Sequence, residues 1–114
     1  MTSPAPTPPT LADVVQARER IRDALTLTPL TFSQTLSEIT GARVFLKFEN
    51  LQFTGSFKGR GARNRLLNVQ KGRGVIAMSA GNHAQGVAHH ASLLGLSSTI
   101  VMPENTPFTK VART

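Results

Sequence analysis

A chain of 114 residues is at most one domain and can bury only a modest core. Its 39% apolar and 17% charged residues are ordinary for a soluble globular protein, and no apolar run approaches the roughly 18 residues needed to span a bilayer. The absence of cysteine excludes a disulfide framework and a thiolate metal site and suits a reducing compartment, so a cytoplasmic location is expected, while the net charge of +7 raises the question of a polyanionic partner.

The N-terminal MTSPAPTPPT carries Pro4, Pro6, Pro8 and Pro9 and lacks the basic and apolar regions of a secretory signal. Residues 1–9 are expected to be a disordered Pro-rich tail, and residues 10–114 the folded part. A first helix is predicted from Leu11 to Leu25, capped by Thr10, with Leu11, Val14, Val15, Arg18, Ile21 and Leu25 along one face. Thr28-Pro29-Leu30 breaks it. A short helix is predicted over Ser33 to Ile39, ended by Gly41. Arg43 to Glu49 alternates partly and is rich in β-formers, which predicts a strand, followed by a loop from Asn50 to Gly55. A helix from Ser56 to Val69 follows, with Phe57, Ala62 and Leu66 as packing candidates. Val75 to Met78 reads as a strand, and a helix then opens within Ser79-Ala80-Gly81-Asn82-His83 and runs to Leu94, just before Gly95. Ser98 to Met102 is an apolar strand stopped by Pro103, and Pro107 suits the first turn of a last helix.

Strands alternating with crossover helices of this length imply βαβ units, an α/β fold and a parallel sheet with flanking helices. So few helices cannot cover both faces of such a sheet, which reads as the front part of something longer. The basic residues are scattered as Arg18, Arg20, Arg22, Arg43 and Lys47, then Lys58 to Arg65, then Lys71 and Arg73, and there is no Trp or Tyr to stack on bases. That pattern reads as solvated helix faces and not as a nucleic-acid surface. Gly72-Arg73-Gly74 precedes its strand, whereas a dinucleotide-binding fingerprint must follow one.

In open α/β sheets ligands sit where strands end and helices begin. Two junctions have suitable composition. At Ser79 to His83, small polar residues precede a helix whose unpaired N–H groups and dipole favour an anion, and Gly81 admits close approach. On spacing alone the same residues read more simply as a plain capping turn, with Ser79 or Asn82 as the cap. Gly81, Ala84, Gly86, Ala88, Ala91 and Gly95 make that helix thin-walled, which allows it to press close to a neighbour. His89 and His90 are adjacent, point to different faces and read as solvated. At the other junction, TGSFKGRGA sets Lys58 between Phe57 and Gly59. The helix dipole, and partial burial against Phe57, would both favour a neutral, nucleophilic amine able to form a Schiff base. An exposed helix lysine among Arg60, Arg63 and Arg65 is the alternative.

The segments LKFENLQFTGSFKGRGARN, SAGNHAQGVAHHASLLG and VMPENTPFTKV, in that order and spacing, resemble the threonine dehydratases (threonine ammonia-lyases), which have the tryptophan-synthase-beta-like fold. Serine racemases are near relatives. The resemblance covers roughly Thr28 to Thr114 and implies that Lys58 holds pyridoxal 5'-phosphate as a Schiff base. It further implies that Asn82 bonds the cofactor's phenolic oxygen, that Phe57 lies near the ring, and that Ser79, Ala80, Gly81 and His83 receive the substrate carboxylate. Gly59 stands where cysteine synthases and threonine synthases usually carry Asp, and Ala80 where serine racemases place a serine acid/base. The implied reaction is β-elimination and deamination of L-threonine or L-serine. The implied partners are a small amino-acid substrate, no nucleic acid, no membrane, and further copies of the chain in a full-length homo-oligomer. The family's glycine-rich phosphate loop and pyridine-nitrogen partner have no counterpart here, so the chain is expected to be the N-terminal part of such an enzyme. A racemase of this fold and a non-enzymatic basic fragment are the competing readings.

Overall fold

The computed structural model describes residues 7–114; most of the expected Pro-rich tail, residues 1–6, lies outside the described residues. Pro8 to Thr10 precede helix α1, Leu11–Ile21. A capping box starts this helix: the Asp13 N–H donates to Thr10 Oγ1 at 3.3 Å, and the Thr10 N–H donates to Asp13 Oδ2 at 2.7 Å. The helix ends four residues before the predicted Leu25 and tightens into a 3-10 turn over Arg22–Ala24. Of its predicted apolar face only Ile21 is buried, while Leu11, Val14 and Val15 are exposed, because α1 packs on the remainder of the chain through its C-terminal end.

The next unit departs from the sequence reading. Leu30–Phe32 forms strand β1, where the sequence predicts only a break, and Phe45–Lys47 forms β2, much shorter than Arg43 to Glu49. The two pair antiparallel, Leu30 with Lys47 and Phe32 with Phe45, in a sheet separate from the later strands. Helix α2, Gln34–Thr40, links them. Ser33 caps it, accepting the Leu36 N–H, and Gly41 ends it at φ 70°. The Phe32 and Phe45 rings meet edge-on at 5.5 Å. A 3-10 turn at Glu49–Leu51 then leads through Gly55, at φ 69°, into helix α3, Lys58–Leu66.

The second unit is the expected βαβ. Strand β3, Val75–Met78, and strand β4, Ser98–Val101, run parallel in register Val75 to Ser98 and Met78 to Val101, with helix α4, Asn82–Leu93, between them. The short helix α5, Phe108–Ala112, follows Pro107. The core is the packing of α4 on α3 and on this sheet. Ala62 and Leu66 of α3 face Ala84, Gly86, Val87, Ala88 and Ala91 of α4. Ala84 and Ala91 are wholly buried, so the helices approach on small side chains. One face of the parallel pair stays open, with Ile76 78% and Met78 82% exposed.

Candidate active site

The two candidate junctions open the two helices that form this core, α3 and α4. At the first, Lys58 is the first residue of α3, and its N–H donates to Ser56 Oγ at 3.3 Å. The Lys58 side chain is exposed, with Nζ 5.3 Å from the centroid of the Phe57 ring, itself 60% exposed. The expected burial of Lys58 against Phe57 is therefore not supplied by this chain. The Lys58 backbone, by contrast, is tightly packed. A Cβ added to Gly86 of α4 would lie 3.3 Å from both the Lys58 carbonyl carbon and its oxygen. The smallness of Gly86 thus has a steric cause. Asn82, four residues before Gly86, shares that face of α4 and stands one turn nearer its N-terminus.

At the second junction, Ser79 follows β3, and the Ser79 N–H donates to the Val101 carbonyl at 3.0 Å, extending the parallel ladder. The Gly81 N–H donates to Ser79 Oγ at 3.2 Å. Gly81 occupies the N-cap position of α4 and no side chain caps the helix, so the plain capping turn is not what forms. A Cβ at Gly81 would meet nothing within 4 Å, so the space before the helix is open. Ala80 is half-buried, and Asn82 and His83 are exposed. His83 lines a cavity of about 300 Å³ with Gly61, Arg65, Val69, Ile76 and Val87, on the flank of α3 beyond Lys58.

His90 corrects the solvated reading of the histidine pair. It is 1% exposed, and its Nε2 would lie 3.0 Å from a Cβ at Gly59, so Gly59 makes room for the ring. His89 stacks on Phe53 at 4.3 Å and meets His90 edge-on at 4.9 Å. Burial, then the neighbouring His89 and Arg63, push the His90 imidazole down to about 4. Its Nδ1 has no partner among the described residues, nor do Arg63 Nε and Nη1.

A second cluster escaped sequence reading. Arg60 donates from Nε to Glu49 Oε2 at 2.7 Å and from Nη2 to Oε1 at 2.8 Å. The Thr28 hydroxyl donates to Glu49 Oε1 at 2.6 Å. Gln52 donates from Nε2 to the Thr26 carbonyl at 2.8 Å and accepts the Thr26 N–H at 3.1 Å. The Arg60 guanidinium holds the Glu49 carboxyl down to about 2, and Glu49 raises Arg60 in return. Arg60 is therefore no solvated surface charge. The only hint in the sequence was an acid at the end of a predicted strand, with its partner 11 residues on.

With this geometry in place, the fold and the lysine-bearing turn define a class. Residues 21–114 match the family described as "Pyridoxal-phosphate dependent enzyme", and the chain belongs to it. Among its relatives, an "L-threonine ammonia-lyase" of Thermotoga maritima is 47% identical over 108 residues, 92% of this chain and 27% of that protein. An "L-threonine dehydratase catabolic TdcB" of Staphylococcus aureus is 55% identical over 104 residues, 88% of this chain and 30% of that protein. The chain thus spans about three-tenths of the length of these relatives. Among solved structures, a threonine deaminase from T.th. superposes with a TM-score of 0.79 at 45% identity, over 92% of this chain and 34% of that one. The serine racemase of Dictyostelium discoideum superposes with a TM-score of 0.84 at 34% identity, over 91% and 35%. The fold is accordingly the N-terminal portion of the tryptophan-synthase-beta-like α/β fold, and the cofactor of the family is pyridoxal 5'-phosphate. The residues fit that group: an exposed primary amine on a fixed helix start, a flat exposed ring beside it, and an uncapped helix N-terminus fronted by open space. No helix among the described residues is long and apolar enough to cross a membrane.

Proposed function

We propose that this chain supplies the cofactor lysine and the substrate-carboxylate loop of a lyase that removes water from L-threonine or L-serine and releases 2-oxobutanoate or pyruvate with ammonia. The supporting observation is the seating of the Lys58 backbone against Gly86, one turn along α4 from Asn82, with the Lys58 side chain left exposed. When bound, pyridoxal 5'-phosphate provides the electron sink that makes the substrate α-proton removable. Lys58 Nζ would hold the cofactor and would serve as the general base that takes the substrate α-proton. Phe57 would flank the ring, and the Asn82 amide would donate to the phenolic oxygen. Ser79, Ala80 and Gly81 would shape the loop, and the uncapped N–H groups of the first turn of α4, with His83 at its second position, would orient the substrate carboxylate at the positive end of the helix.

A racemase is the second reading, favoured by the superposition on serine racemases. Ala80 argues against it, since its methyl group cannot exchange a proton on the far face of the substrate. The test is a chimera in which this chain replaces the matching segment of the Thermotoga maritima enzyme. Release of 2-oxobutanoate from L-threonine, abolished by Lys58→Ala, is the expected result. D-serine as the main product from L-serine would instead establish the racemase. Full activity in Lys58→Ala would remove both readings.

A further inference from the structure

Helix α3 opens with Lys58-Gly59-Arg60, two cations and no acid in the first turn. Positive charge at a helix N-terminus opposes the helix dipole. Glu49, carried on the preceding 3-10 turn and only 14% exposed at its side chain, supplies the missing negative charge through a two-pronged contact with Arg60. The same carboxylate accepts the Thr28 hydroxyl, Lys47 Nζ donates to the Thr28 carbonyl at 2.6 Å, and Gln52 bridges to Thr26. Three pieces of chain, residues 26–28, 47–52 and the first turn of α3, therefore meet at one carboxylate. On the opposite flank α3 is stopped by α4, with Gly86 under the Lys58 carbonyl and His90 under Gly59. The first turn of α3 is thus held through Arg60 by Glu49 and through the Lys58 and Gly59 backbone by α4, while the Lys58 side chain stays exposed.

Resting on the reading of Lys58 given above, we propose that Glu49 and Arg60 are a positioning pair that fixes the direction in which Lys58 leaves α3. Neither touches a reacting atom; both act through the helix turn that carries the lysine. A misplacement of about 1 Å at a reacting group can cost on the order of 100-fold in rate.

This chain, unaltered or as the Glu49→Gln and Arg60→Lys variants, is carried in the chimera described above, which is mixed with pyridoxal 5'-phosphate and treated with borohydride. The lysine amine condenses with the aldehyde, water leaves, and hydride from borohydride plus a solvent proton give a stable secondary amine. Peptide mapping then reads the labelling of Lys58 relative to Lys71 and Lys110, which lie outside the cluster. The unaltered chain is expected to favour Lys58. Glu49→Gln should lower the Lys58-to-Lys71 ratio by about tenfold. Arg60→Lys, which keeps the charge but loses the fork, should fall between the two, with the helical circular-dichroism signal retained. An unchanged ratio in both variants overturns the proposal. Loss of helical signal in both with uniform labelling also overturns it, because the pair would then hold the whole fold and not Lys58 in particular. Equal labelling of Lys58 and Lys71 in the unaltered chain removes the functional reading of Lys58 and this inference with it.

Discussion

The two strand-to-helix junctions are built in opposite ways. The junction before α3 is tied by side chains from distant segments: Glu49 to Arg60, Gln52 to Thr26, Thr28 to Glu49. The junction before α4 is held by β3–β4 backbone pairing and one Ser79 hydroxyl contact, and it faces open space. On the function proposed above, the difference is a division of labour. A lysine proposed to carry a covalent group gains from a fixed helix start, which the braced junction gives it. A loop proposed to receive an anion gains from a helix whose first-turn N–H groups no side chain caps.

The comparison breaks most completely at Lys58. Lys58→Ala should leave α3 intact, because the side chain is exposed, yet abolish borohydride-trapped cofactor at this position; mass mapping that still finds a single dominant adduct elsewhere would move the site.

Acid should loosen the braced side through two groups at separable pH. His90 lies near 4 in the fold against 6.5 when unfolded, so the unfolded chain binds more protons between those values. Stability is lost as pH falls from 6.5 through 4, by about 3 kcal/mol at most. Glu49 lies near 2 against 4.5, so its contribution is whole above 4.5 and is lost as pH falls toward 2. Urea melts at stepped pH should show both slopes, and His90→Gln should erase only the upper one.

Smaller effects follow. Glu49→Ala leaves Arg60 without its partner and should cost about 2 kcal/mol in denaturant melts, less than a fully buried pair because Arg60 is partly exposed. Gly86→Ala drives a methyl group to 3.3 Å from the Lys58 carbonyl and should cost about 1 kcal/mol or more. At the open junction Gly81→Ala meets no atom and should change stability by under about 0.5 kcal/mol while weakening phosphate or carboxylate binding, read by titration calorimetry. A large loss of stability in Gly81→Ala would erase the contrast between the junctions.

How much of this is readable beforehand follows the range of each interaction. The Thr10 cap, the Ser33 to Gly41 helix limits, strand Val75–Met78 and the turn at Gly95 (φ 67°) are legible, because each depends on residues within a few positions of one another. Lys58 and Asn82 can be placed at the starts of their helices for the same reason. Strand Leu30–Phe32 escapes the sequence because three residues after a proline carry no periodicity, and it exists only by pairing with Phe45–Lys47. The alternation of Phe45 to Lys47 announces a strand but not its antiparallel partner.

Local sequence, then, determined where helices begin and end, because caps and glycine turns are settled by short-range hydrogen bonds and backbone sterics. Its motifs also named the family. Tertiary structure alone decided that Glu49 meets Arg60, that Gln52 closes on Thr26 across 26 positions, and that His90 is buried beneath Gly59. Those outcomes turn on which helix faces and loops are pressed together, and a side chain's charge and burial depend on that neighbourhood rather than on its neighbours along the chain.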